Sequence, residues 1–376
     1  MKPFDPGAYK ARLAEARNRY EAAAAFREAD RVPVAISAGG SYYAHHLAGA
    51  NIRTYFTDLD TMVRAQVAGL RWRMEALGDD TRRLGLRLDL GPVQEGLVFD
   101  TPIEFPDDTS PRIVPILKTR DDVLRLRVPD FEDHPRIRWF IERGEKFTRT
   151  AAEMGYKDLA PSRPRLTIHP PLSAACAIMD PTRVYEMMAL EPDLAGVLLD
   201  KCLETFIRLI EFWDRRYGTK TTHLGLADDN TCFISNEMFR RFVLPRNLAL
   251  YERFGSEHRS LHTDGPSDQH FVTYADDIRL DMMDIGGWSS IDAAVRGMKG
   301  KVLIHGAMNN RDLYSGLTDE AKRKMRRQMR VAGPGGGYEF AIGGETYVGV
   351  EPGTLVEFVA YAKEIGRYPI RLAEDE

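Results

Sequence analysis

The sequence predicts an α/β fold, a TIM (β/α)8 barrel. Short β-branched or apolar runs alternate with amphipathic helical stretches, the signature of βα units and a parallel sheet. Eight such runs can be drawn along the chain. Several of them close on His or Asp. Parallel strands are apolar throughout because both faces are buried, so a polar residue closing a run belongs at the rim where barrels place their chemistry.

An N-terminal helical segment is expected to end near Ala29. The runs occupy residues 32–37, 86–105, 165–169, 222–227, 259–262, 280–285, 302–305 and 338–342. The second is interrupted by Gly91-Pro92 and reads as a strand plus a hairpin. Helical periodicity covers residues 61–77, 181–217, 236–254, 268–276 and 318–332. Residues 106–155 fit no βα unit; rich in Pro and Asp, they read as an insertion outside the barrel. The alternative fold is a doubly wound open sheet. Against it, Gly39-Gly40-Ser41 lacks the third glycine of a dinucleotide-binding turn. Residues 333–337 are glycine-rich, but no Lys-Ser/Thr follows to make a phosphate loop, so no nucleotide cofactor is expected.

At 376 residues and 43% hydrophobic, the chain can bury a full core, and it reads as a single domain over residues 1–376. A net charge of -4 argues against nucleic-acid binding, which needs a basic surface. Residues 1–10 carry no apolar signal region, and no stretch reaches the roughly 18 apolar residues of a membrane span. Cys176, Cys202 and Cys232 form no C-x-x-C pair and are expected as reduced thiols in a cytoplasmic protein.

The run ends collect His169, then Asp228, Asp229 and Asn230, then His262 and Asp264, then Asp284 and His305; Glu345 and Tyr347 lie past the last run. Each has a structural explanation. A histidine can be a hydrogen-bonded packing residue, and Asp228 and Asp229 can hold a loop through Asx turns. Together they are expected to line one cavity. His262, Asp229 and His305 are the candidate catalytic residues, with Asp228, His169 and Asp284 on the substrate. Residues two apart at a strand end point the same way, so His262 and Asp264 can offer an imidazole and a carboxylate to one ion. That donor set suits zinc or another divalent metal. It serves equally as a hydrogen-bonded acid–base pair.

Longer motifs carry a resemblance. They are DRVPV (30–34), GPVQEGLVFDTPIEFPDD (91–108), LRVPD (126–130), HPPLSAACAIMDPTRVYEMM (169–188), LADDNTCFISNEMFRRFVLPRN (226–247), LHTDG (261–265), GAMNNRDLYSG (306–316) and GVEPGTLVEFV (349–359). In this order and spacing the chain resembles the uroporphyrinogen decarboxylase superfamily. That superfamily includes the decarboxylase itself and the zinc-dependent methylcobamide:thiol methyltransferases.

The resemblance implies a TIM barrel and, in the methyltransferase branch, zinc held by His-x-Cys-Gly and a later Cys. His262 and Gly265 match that motif, but Asp264 stands at the Cys position. The later Cys falls at Val348, leaving Glu345 as the substitute metal ligand and Tyr347 as a substrate contact. The decarboxylase's catalytic Asp falls at Gly91 or Leu90. Its paired arginines are replaced by Gly39-Gly40-Ser41-Tyr42-Tyr43, where Tyr43 is expected to face substrate. The chain thus resembles a divergent member that does not act on uroporphyrinogen. The implied function is metal-assisted methyl transfer or demethylation of a small molecule, with a corrinoid carried by a partner protein. The alternative is a metal-free, decarboxylase-type lyase in which His262 or His305 donates the proton and Asp229 orients the substrate. The chain could pair as a homodimer.

Overall fold

The computed structural model describes residues 4–161 and 163–372. Its strands are β1 (Val34–Ala35), β2 (Ile103–Glu104), β3 (Arg112–Ile113), β4 (His223–Ala227), β5 (His258–His262), β6 (Met282–Asp284), β7 (Leu303–Met308) and β8 (Tyr338–Ile342). The chain divides into two compact units. One comprises Met1–Asn51, Thr61–Leu86 and His262–Glu376; the other comprises Ile52–Asp60 and Arg87–Leu261.

In the first unit the strands run β1-β8-β7-β6 and all pairs are parallel. The register aligns Val34 with Phe340, His305 with Glu339, and Asp284 with His305. Phe340 stacks on Phe358 of the helix Pro352–Ile365, with ring centroids 5.3 Å apart. The helix Asp319–Ala332 is capped by the Thr318 hydroxyl, which accepts the Ala321 N–H. It turns Met325 and Met329 into the core and leaves its Lys and Arg side of the helix to solvent, as an amphipathic helix should.

β1 is shorter than its apolar run, and the reason lies in its hydrogen bonds. Asp80 accepts the Val34 N–H at 2.8 Å and Asp79 accepts the Ile36 N–H at 3.3 Å. Two carboxylates therefore occupy the strand edge where a neighbouring ladder would bond. Buried carboxylates need counter-charge. Arg31 forks onto Asp80 at 2.5 and 2.8 Å, Arg19 reaches Asp80 at 3.2 Å, and Arg73 meets Asp79 at 2.5 Å.

In the second unit β4 lies beside β5, and β2 and β3 form an antiparallel hairpin. The run at 165–169 forms no strand, although Leu166 and Ile168 are buried as a strand's alternate residues would be. Side chains again take the backbone. The Trp213 indole donates to the Leu166 carbonyl at 2.9 Å, and Glu95 accepts the His169 N–H at 2.5 Å. Likewise residues 86–93 form no strand; an Asx turn at Asp89, whose carboxylate accepts the Gly91 N–H at 3.0 Å, leads into the short helix Gln94–Val98. The insertion at 106–155 is folded. Beyond β3 it holds the helix Arg120–Arg125, closed by a Thr119/Asp122 capping box, and the helix Pro135–Glu153, which buries Ile137, Phe140, Ile141 and Phe147. Phe140 packs edge-on against Trp213 of the helix Pro192–Tyr217.

The helical stretch at 181–217 is two helices, Pro181–Leu190 and Pro192–Tyr217, because the residue before Pro192 is pushed out of the α region. Among the described residues no helix is long and apolar enough to cross a membrane. Cys176 and Cys202 are buried, Cys232 is half-buried, and none is in a disulfide.

Candidate active site

In the first unit β5 ends on His262, held at both ring nitrogens. Nδ1 lies 2.9 Å from Asp284 Oδ2, and Nε2 lies 3.1 Å from Asp264 Oδ1. Asp284 is itself fixed, because its other oxygen accepts the Gly286 N–H at 3.2 Å. Burial works against its charge, but the His305 charge, the bond from and charge on His262, and the Gly286 N–H together hold its carboxyl below the usual range. Asp284 is therefore an ionised acceptor, and His262 donates Nδ1–H to it. Nε2 faces the Asp264 carboxylate, as an N–H donor when the ring is protonated and as a lone pair when it is neutral.

The loops behind this pair come together backbone on backbone. A Cβ on Gly286 would meet the Thr263 and Asp264 carbonyls, and one on Gly343 would meet the Gly286 backbone. One on Gly344 would meet the Asp264 carboxylate. Only glycine permits so close an approach, and it sets Asp264 beside His262.

His305 follows in the same strand row. The parallel register aligns Asp284, His305 and Glu339 across β6, β7 and β8. His305 Nδ1 lies 2.8 Å from Glu339 Oε2, and Arg82 takes the other oxygen at 3.1 Å. Burial disfavours the imidazolium, but Asp284 and Glu339 outweigh it, so the His305 pKa is raised. Glu339 lies below the usual range; burial is outweighed by His305 and Arg82.

The other first-unit candidates are spread more widely. The Glu345 carboxylate packs against Gly39, in the space a Cβ there would fill, and its backbone carbonyl accepts from Asn310 at 3.0 Å. Among the described residues it forms no three-ligand group with His262 and Asp264. Tyr347 is 61% exposed, and its phenol is raised by partial burial and by the nearby Asp264, Tyr314 and Glu345. Tyr43 is buried, its hydroxyl accepting from Arg73 Nε at 2.7 Å. Val348 offers only its carbonyl, 2.6 Å from His46 Nε2.

In the second unit Asp228 is fully buried at the end of β4, bonded by Ser173 at 2.8 Å and Asn247 at 2.9 Å. Burial raises its carboxyl to about 6 against those two bonds. Asp229 opens the short 3-10 turn Asp229–Phe233. His169 Nδ1 lies 2.9 Å from Glu95, which is completely buried. Burial lowers the imidazolium's stability, but Glu95, Asp229 and Asp228 raise its pKa to about 9. A histidine raised in the folded state contributes stability that is complete below the ordinary 6.5 and is lost as pH rises through about 9. Replacing Glu95 with Gln should flatten urea-measured stability across that window. An unchanged slope would show that the pair does not carry the histidine's charge.

Glu95, Glu339 and Arg82 escape a reading built on run ends. Glu339 did leave a signal: a carboxylate inside the apolar run Tyr338–Ile342 must be paired if that run is buried on both faces.

Residues 15–365 match the uroporphyrinogen decarboxylase (URO-D) family. The chain belongs to that family and is an enzyme of the URO-D superfamily with the TIM-barrel fold. Among solved structures it is similar to a methyltransferase from Methanosarcina mazei, with a TM-score of 0.65 and 17% identity, covering 93% of this chain and 98% of that one. At that identity the likeness concerns the fold. No protein of curated function matches the sequence.

Proposed function

We propose that the chain works as one barrel domain carrying out metal-assisted methyl transfer or demethylation on a small molecule. The observation behind this reading is the His262–Asp264 pair. With Nδ1–H given to Asp284, a neutral ring turns its Nε2 lone pair on a carboxylate oxygen at 3.1 Å, two acceptors in contact. A shared cation removes that conflict. Ligands bound at about 2.0–2.1 Å to one divalent ion stand roughly 3 Å apart, which this pair fits. Asp284 would be the outer carboxylate that orients a ligating histidine. A zinc-like ion, when bound, supplies Lewis acidity toward an oxygen or nitrogen of the substrate. With no thiolate in the set, oxygen substrates and water suit it better than thiols.

Barrels open their strand ends on one rim, and on that general ground Asp229 is proposed as a catalytic residue that orients the substrate. Asp228 and His169 are proposed on the substrate side. The methyl carrier is inferred to be a corrinoid on a partner protein. The similar methyltransferase fold supports this class of reaction.

The second reading is a metal-free lyase. A proton, not a cation, then lies between His262 and Asp264, and His305 is the acid. Elemental analysis of the purified protein separates the two. About one divalent ion per chain is expected, and its absence after zinc loading and desalting would leave the lyase reading.

A further inference from the structure

We propose that Glu339 is a positioning residue which presents His305 as a proton donor, and that Arg82 keeps Glu339 ionised. This rests on His305 acting in catalysis, whichever of the two reactions applies.

The geometry assigns each atom a task. Glu339 is 1% exposed, the second residue of β8. Its Oε2 accepts from His305 Nδ1 at 2.8 Å, and its Oε1 accepts from Arg82 at 3.1 Å. With one oxygen on a guanidinium and the other on an imidazole, Glu339 stays ionised; Asp80 is the like charge acting against it. The Arg82 guanidinium lies 3.7 Å from the Tyr20 ring centroid, so it is itself held in place. Nδ1–H being spent on Glu339, Nε2 is the ring nitrogen left to carry a transferable proton. Donation takes the proton from Nε2 to the substrate. It leaves a neutral ring whose Nδ1–H still bonds Glu339, so the imidazole returns to the same orientation for reprotonation.

The charged groups around His305 come from three elements: Asp284 on β6, Glu339 on β8, and Arg82 in the segment before Leu86. The first two favour the imidazolium and Arg82 opposes it. The two neighbours on Glu339's side therefore predict opposite outcomes. The test follows the 15N-labelled His305 imidazole through a pH titration, assigned by its loss in His305→Gln. In the unaltered protein the midpoint should lie above the ordinary 6.5. In Glu339→Gln, which keeps an acceptor and loses the charge, it should fall by about one unit or more. In Arg82→Met it should rise. A role in packing alone would move the two variants alike or not at all, and that result overturns the proposal. So does a midpoint below 6.5 in the unaltered protein. If Glu339→Gln does not fold, the sign in Arg82→Met decides. The readout is a ring nitrogen, so it stands even if no metal is found.

Discussion

His262→Ala is expected to abolish zinc binding while the protein stays folded. His262 sits at the end of β5 and is half-buried, so its loss costs little core. A graded series makes this decisive. Asp284→Asn keeps an acceptor near Nδ1 but removes the charge that orients the imidazole. Losing an outer carboxylate typically costs 10- to 100-fold in metal affinity. Asp264→Cys supplies a thiolate at the same position and should keep zinc bound. The order expected from competition with a chelator is Asp264→Cys well above Asp284→Asn, and Asp284→Asn above His262→Ala. Affinity should weaken on acidification in every binding variant, because the ligands must shed protons. If His262→Ala holds zinc as tightly as the unaltered chain, the metal is elsewhere and the pair is an acid–base device.

The largest stability effect should come from Asp80→Ala, far from any run end. Asp80 is 4% exposed and accepts from Arg31 twice, from Arg19 and from the Val34 N–H. Removing it strands the buried Arg31 guanidinium and opens the β1 edge. Breaking one partner of a buried pair costs about 3–5 kcal/mol. The pH sign follows from the pKa. Burial raises the Asp80 carboxyl, but the Arg31 bond and charge outweigh it and the value falls below 3.8. A depressed acid contributes stability that is present above its unfolded value and lost as pH falls through the folded one. The gap between Asp80→Ala and the unaltered protein, read from urea unfolding, should therefore be widest near neutrality and close below about pH 3.8. A loss under about 1 kcal/mol at pH 7 would remove Asp80 from this role.

These results bear on what the sequence could show. Six of the eight apolar runs contain strands of the parallel set, because period and β-branching report burial directly. The run at 165–169 reads as a strand for the same reason, since Leu166 and Ile168 are buried, and the first part of the run at 86–105 is apolar in the same way. At 165–169 the backbone partners are the side chains of Glu95 and Trp213, remote in sequence, which local pattern cannot announce; at 86–93 the Asp89 carboxylate takes the Gly91 N–H. The site divides in the same way. His262, Asp264, Asp284 and His305 were legible as polar residues closing apolar runs. The place of a missing ligand points to Glu345, whose side chain lies on Gly39. The place of the missing arginines points to Tyr43, which is buried against Arg73. Glu339 and Arg82 were hidden because a paired charge inside a strand looks, in one dimension, like an interruption.

The pairing of β1 with β8 bears on how the chain is made. Val34 finds its partner at Phe340, and the Tyr42 hydroxyl donates to the carbonyl of Val350, 308 residues further on. During vectorial synthesis the first strand therefore leaves the ribosome long before the partner that holds it. The second unit is nearly continuous in sequence and can mature while β6, β7 and β8 are still untranslated. Through that interval the apolar β1 is unpaired on one side. The Asp79 and Asp80 carboxylates, only about 45 residues downstream, can already occupy its other edge. They would act as a local guard against premature strand pairing, a service to the nascent chain that the finished fold no longer displays.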